Sequence, residues 1–136
     1  MADSGAIVVG AGAPPPGWHG RDHGPARLTF STYGQRVDAQ GWGLEVTTTG
    51  YGDLQGGTEK DLWYTGAFSG TSSASPIVVD AVASYQGMSG AATGRRTPAQ
   101  VRALLRETGS PQTDASGRSA TQRIGDLPDL KEMFLP

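Results

Sequence analysis

The sequence predicts a chain of mixed α/β structure, and three observations carry that expectation. Short apolar and β-branched runs cluster before residue 50, two segments with helical start and stop signals follow residue 75, and glycine- and proline-rich stretches punctuate both halves. Its 136 residues make one ordinary domain or a piece of a larger one. Glycine and proline together fill about 22% of the chain, roughly twice the usual share. Compact runs such as Ala6-Ile7-Val8-Val9 and Ile77-Val78-Val79 nevertheless read as buried elements, which argues against disorder.

Residues 5–9 read as a buried strand, stopped by Gly10, Gly12 and three successive prolines, Pro14, Pro15 and Pro16. The loop over residues 13–27 holds both histidines and belongs on the surface. Residues 28–33 and 35–40 are short extended candidates on either side of Gly34, and residues 45–49 are β-branched enough for another strand. Residues 50–60 form a loop by composition. A first helix starts with Pro76 in its first turn, where the missing N–H costs nothing, and ends at Gly87. It is apolar on nearly every side, as a buried helix is. A second helix has Thr97 as its N-cap, Pro98 at its first position and Gln100 completing a capping box. Val101, Leu104 and Leu105 form its apolar stripe opposite Arg102 and Arg106, with Gly109 as a left-handed cap and Pro111 as the stop. Residues 112–123 are polar, and 124–130 carry the last apolar anchors.

Eleven Lys/Arg against thirteen Asp/Glu give a net charge of −2, spread along the chain with no basic block, so no nucleic-acid footprint is visible. Apolar runs are too short to span a membrane. Met1-Ala2-Asp3-Ser4 has neither the basic nor the hydrophobic region of a secretory signal. Without cysteine there is no disulfide, thiolate nucleophile or cysteine zinc site, and two histidines leave little for a transition-metal cluster.

Four features bear on chemistry. Gly10-Ala11-Gly12 lacks the third glycine and following helix of a dinucleotide fingerprint and reads as a strand-ending turn. His19 and His23 are four apart, but Gly17, Gly20, Gly24 and Pro25 bracket them, so they read as solvated loop histidines more than as ligands or a catalytic base. Asp53, Glu59 and Asp61 offer oxygen ligands that would suit a structural calcium ion, yet the spacing of a calcium-binding loop is absent and a plain surface loop is favoured. No cofactor is otherwise called for. Lastly, small and hydroxyl residues from Phe68 to Ser75 run straight into the first helix. A serine there serves by default as an N-cap; a nucleophile uses the same unpaired N–H groups to hold a developing oxyanion.

Gly70-Thr71-Ser72-Ser73-Ala74-Ser75-Pro76 matches the G-T-S-x-A-x-P motif of the subtilisin-like serine proteases (peptidase S8 type). Ala6-Ile7-Val8-Val9-Gly10-Ala11 is similar to that family's strand ending in V-G-A, and Phe30-Ser31-Thr32-Tyr33-Gly34 to its F-S-N-x-G turn. Val37-Asp38 and Val46-Thr47-Thr48-Thr49 look like the strands leading to the nucleophile, and residues 97–108 like the helix near the end of the catalytic domain. The resemblance covers about residues 4–109.

It implies part of a three-layer α/β fold, with a mostly parallel sheet and a buried helix after the nucleophile. Residues 1–111 would be the C-terminal half of the catalytic domain, and 112–136 a tail packed on it. It implies Ser72 as nucleophile and, through its backbone N–H, oxyanion donor, acting on peptides or proteins and on small esters through an acyl-enzyme. The family's catalytic Asp, His and oxyanion Asn have no matching position, so activity of this half alone is not expected; His19 and His23 are only weak substitutes for the base. The chain is then expected to self-associate or to need a complementary N-terminal half, as part of a nicked enzyme, a truncated one or a degenerate frame. An extracellular setting follows from the family. A stand-alone esterase using Ser72 and a non-catalytic remnant that binds or assembles stay open as alternatives. Within the match, Asp80 stands where the family usually has glycine; a lone buried carboxylate is costly, so either the half-domain leaves this face wet or a partner such as an arginine reaches it, and Asp80→Gly is expected to stabilise the chain. Trp42 replaces the proline of a proline-glycine turn and is expected to pack on the sheet surface.

Overall fold

The computed structural model describes residues 4–15 and 24–135. His19 and His23 therefore lie outside the described residues. Strands β1 (Val9–Gly12) and β2 (Ala39–Trp42) pair in parallel, with Val9 opposite Ala39 and Gly12 opposite Trp42. Strands β3 (Val46–Thr49) and β4 (Tyr64–Phe68) form an antiparallel pair joined by a long loop that contains one 3-10 turn, Lys60–Leu62. Helix α1 (Thr71–Thr93) lies across β1 and β2, followed by α2 (Pro98–Thr108) and a short α3 (Leu130–Phe134). No helix among the described residues is long and apolar enough to cross a membrane.

The core lies where α1 meets the parallel pair and the other helices close over it. Val78 and Tyr85 of α1 pack with Ala39 of β2, Val101 and Leu105 of α2 and Met133 of α3. Fully burying a residue such as Leu105 stabilises by about 2 kcal/mol. A second cluster joins Ala11, Ala13, Leu28 and Ala74 beneath the start of α1. Residues 112–135 are stitched to the sheet: Ile124 is buried, Asp126 bridges to Ala39, and Gln40 Nε2 donates to the Gly125 carbonyl at 2.9 Å.

Two buried charges organise the loops. Arg27 donates to the carbonyls of Leu28, Thr29 and Ser31 at 2.9–3.1 Å, to Gln122 Oε1, and stacks over Tyr33. Asp38, 1% exposed, accepts from the Val8 N–H at 2.8 Å, from Arg36, and from Arg106 of α2 at 2.6 Å. Burial pushes the Asp38 carboxyl up, but the hydrogen bonds from Val8, Arg36 and Arg106 outweigh it and hold the group below the ordinary carboxylate range.

Several expectations need correction. β1 starts at Val9, and Gly10-Ala11-Gly12 belongs to the strand, not to a turn after it. The reason is close packing: a Cβ on Gly10 would sit 2.6 Å from Ile124 Cβ. Residues 28–33 are bent, not extended, because Arg27 gathers their carbonyls and the Ser31 hydroxyl accepts from the Ala11 N–H at 2.9 Å. Strand β4 carried no clear signal in the sequence; pairing with β3 creates it. Helix α1 starts five residues before Pro76 and runs on past Gly87, so Pro76 is interior and the carbonyl four residues back, that of Ser72, has no N–H to accept. Gly109 is not a left-handed cap (φ −71°); it is small because Asp126 and the Leu105 carbonyl crowd it.

Nor is α1 buried all round. Val79 is 64% exposed, Met88 equally so, and Asp80 is exposed without an ion pair among the described residues. The argument for Asp80→Gly as a stabilising change therefore fails: no desolvation is relieved, and glycine in a helix costs about 1 kcal/mol against alanine. Asp80→Gly is expected to lower Tm by a few degrees, and Asp80→Ala is not, as calorimetry will show. Asp38 yields a pH prediction. Its folded pKa lies below the unfolded value near 3.8, so its stabilisation is complete at neutral pH and is lost as pH falls below about 4 toward the folded pKa. Asp38→Asn should cost about 2 kcal/mol at pH 7 and flatten the acid limb of the stability curve, measured by urea unfolding from pH 7 to 3.

Candidate active site

The first turn of α1 is held against the end of β2 by small residues. A Cβ on Gly41 would lie 2.2 Å from the Ala74 carbonyl oxygen, so helix and strand backbones touch there directly. A Cβ on Gly43 would lie 2.6 Å from the Ala11 side chain and 2.8 Å from that of Leu28, and the Gly43 carbonyl accepts from the Gly70 N–H at 2.8 Å. Gly70, at φ 121° and ψ 171°, is the N-cap residue, a conformation open to glycine and strained for other residues. Ser73 is fully buried and its hydroxyl donates to the carbonyls of Trp42 (3.1 Å) and Gly70 (2.8 Å). Trp42 itself is half-buried at the end of β2.

This clasp determines what Ser72 can do. Four serines occupy residues 69–75. Ser69 donates to the Ala67 carbonyl, Ser75 to the Thr71 carbonyl, and Ser73 as described. Ser72 is exposed, and neither its hydroxyl nor its N–H has a partner among the described residues. It does not cap the helix, since Gly70 takes that position and no side chain bonds the cap. The N-cap role that would explain a serine here in purely structural terms is thus unfilled by Ser72. What remains is a solvent-facing hydroxyl on a rigid turn beside unpaired amides and the positive end of a 23-residue helix.

No general base touches Ser72 among the described residues. The acidic loop does not assemble a metal site either: among the described residues no three His, Cys, Asp or Glu side chains converge. Asp53 instead accepts from the Gly66 N–H at 3.2 Å, while Glu59 and Asp61 are exposed. Sequence reasoning missed the Ser73 clasp and the Asp38 and Arg27 hubs. Only the proximity of Ser73 to glycine at 70 hinted at the first, and nothing local marked which arginine answers which carboxylate.

No protein-family model matches the chain, and no curated protein is similar to it in sequence. Solved structures do match. One is the patellamide maturation protease PatA, at 24% identity and a TM-score of 0.64. The likeness covers 96% of this chain and 42% of that one. The chain has a subtilisin-like α/β fold. It spans less than half the length of the protease it matches.

Glycine at 41 is a steric requirement that can be measured. Gly41→Ala should destabilise by about 3 kcal/mol, because the obstruction is backbone and cannot rotate away. Gly87→Ala, inside α1 with open space around it, should stabilise by about 1 kcal/mol. Paired denaturant titrations of the two variants test the contrast.

Proposed function

We propose that this chain is the serine-bearing half of a subtilisin-like serine endopeptidase, with Ser72 as the nucleophile. The observation that carries the proposal is the state of Ser72: exposed, unbonded among the described residues, and held on the first turn of α1 by a clasp that occupies its neighbours' hydroxyls. In the reaction Ser72 Oγ attacks the carbonyl of a peptide bond while its proton passes to a base. The carbonyl oxygen gains the negative charge beside the Ser72 N–H, the amine leaves with the proton, and water releases the acyl group.

A serine hydroxyl is a weak nucleophile without an adjacent base. The base, the acid that orients it and a second oxyanion donor therefore belong to a complementary N-terminal polypeptide in this reading. An incomplete apolar surface supports it. A groove of about 330 Å³ between β1 and α1 is lined by Ile7, Val9, Val78, Val79 and Val82. Parallel sheets are ordinarily covered on both faces and extended by further strands, and a two-stranded parallel pair is short of both. The complementary half is the occupant proposed for that groove. Peptide or protein substrates and an extracellular setting form part of the same proposal.

A fluorophosphonate probe tests it. The chain alone should label weakly. With a polypeptide that supplies the Asp, His and Asn of a subtilisin-like half-domain, labelling should rise at least a hundredfold and disappear in Ser72→Ala. An assembled complex in which Ser72 stays unlabelled overturns the proposal and favours a binding role.

A further inference from the structure

The loop between β3 and β4 is built around a cavity that the reaction at Ser72 leaves unexplained. The cavity measures about 400 Å³ and is lined by Tyr51, Asp53, Thr65, Ala67, Phe68 and Ser69. At roughly 30 Å³ per liquid water, that is room for a long side chain and its remaining hydration. The walls are fixed in place. Trp63 packs under Gly52 and its indole N–H donates to the Gly57 carbonyl at 3.1 Å. Gln55 ties Leu62 and Tyr64 across the loop, and Gly50 N–H donates to the Trp63 carbonyl at 2.8 Å. Tyr51 sits at φ 59°, a region few non-glycine residues enter, and is 75% exposed. Backbone strain that keeps a large aromatic ring in solvent is a pointer to use, not to packing.

One charge faces this space. Asp53 Oδ2 accepts from the Gly66 N–H at 3.2 Å, and Asp53 makes no ion pair among the described residues. Thr65, on the same wall, accepts from the Ala67 N–H through its Oγ1 at 3.1 Å. Hydrogen bonding from Thr65 first and Gly66 second keeps the Asp53 carboxyl below the ordinary range, so it is an anion at neutral pH. An anion on the wall of a space that Tyr51 and Phe68 also line matches a cation on an aliphatic stem, which aromatic rings attract and cover.

The cavity also has the right address. Phe68 and Ser69 line it, and Ser69 is three residues before Ser72 in the chain, a span of at most about 11 Å. An extended peptide covers that distance in roughly three residues. We propose that this cavity is a specificity site that takes a lysine or arginine side chain of a bound peptide, within about three residues of the bond presented to Ser72, with Asp53 meeting the charge. The proposal rests on the peptidase reading for its substrate and names a residue class that reading leaves open.

The test needs no turnover. Alanine hexapeptide amides carrying one lysine, norleucine or glutamate at each position in turn are titrated into the full chain at low salt, with backbone amide NMR as the readout. At one position, lysine is expected to bind five- to tenfold more tightly than norleucine, glutamate most weakly, with shifts at the Gly66 and Ser69 amides. Asp53→Asn should reduce the lysine advantage to under twofold while leaving norleucine binding and the circular dichroism spectrum unchanged, and Tyr51→Ala should weaken both peptides. Equal binding of lysine and norleucine, no binding at all, or a lysine preference that survives in Asp53→Asn overturns the assignment. Ser72→Ala separates the two readings, because it should keep the preference. A lysine preference beside a Ser72 that never labels would sink the peptidase reading alone, and a labelled Ser72 with no preference would sink the cavity assignment alone.

Discussion

The position of Ser72 depends on how closely a helix can approach a strand. With glycine at 41, the first turn of α1 rests on the backbone of β2, and with alanine at 74 no side chain separates them. That contact leaves the Gly43 carbonyl within reach of the Gly70 N–H and the Trp42 carbonyl within reach of the Ser73 hydroxyl. The two hydrogen bonds anchor the residues on either side of Ser72 without touching it. A hydroxyl whose neighbours are the residues tied down keeps its own bonding capacity, as the proposed role of Ser72 requires. The same clasp leaves the Ser72 N–H uncommitted among the described residues, while the Ser73 N–H donates to the Gly70 carbonyl at 3.2 Å.

The strand underneath needs its own support, and buried charge supplies part of it. Asp38 joins three separate segments: the approach to β1 through the Val8 N–H, the turn before β2 through Arg36, and α2 through Arg106. Both arginines keep about half their side-chain surface in water, 53% and 40%, so only the carboxylate bears the full desolvation cost. Such a pair is a specifier of arrangement more than a large source of stability. Breaking it from the buried side leaves two guanidiniums solvated but the Val8 N–H without its acceptor.

Local rules made the helix caps legible, and nonlocal contacts decided the rest. The Thr97–Gln100 capping box is visible in the sequence and present in the structure, because it depends on four consecutive residues. The extent of α1 was not: Pro76 argued for a start at its own position, but the clasp at residues 70–73 nucleates the helix a turn earlier and the proline is absorbed inside. Gly109 and Gly10 were misread as signals of backbone freedom, when each is small because another chain segment passes against it. Asp80 sits on a face left to solvent, one of the two settings its position allowed, because an apolar run does not imply burial on every side. The run is real, and the fold leaves one side of it bare.

That bare side and the free serine are consequences of one arrangement. Val79 and Asp80 follow Ser72 by two helical turns, so the exposed surface at Val79 continues from the exposed surface at Ser72. A polypeptide seated in the groove of Ile7, Val9, Val78 and Val82 would bury apolar area, and in the same docking step would be positioned beside the start of α1. Assembly and activation of the hydroxyl are then linked, since the hydrophobic contact supplies the free energy and the proton acceptor arrives with it. On this view the serine is inert by itself for an electrostatic reason and not a geometric one. In the proposed reading its turn and its exposure are supplied by this chain, and the group that lowers the cost of removing its proton comes with the partner.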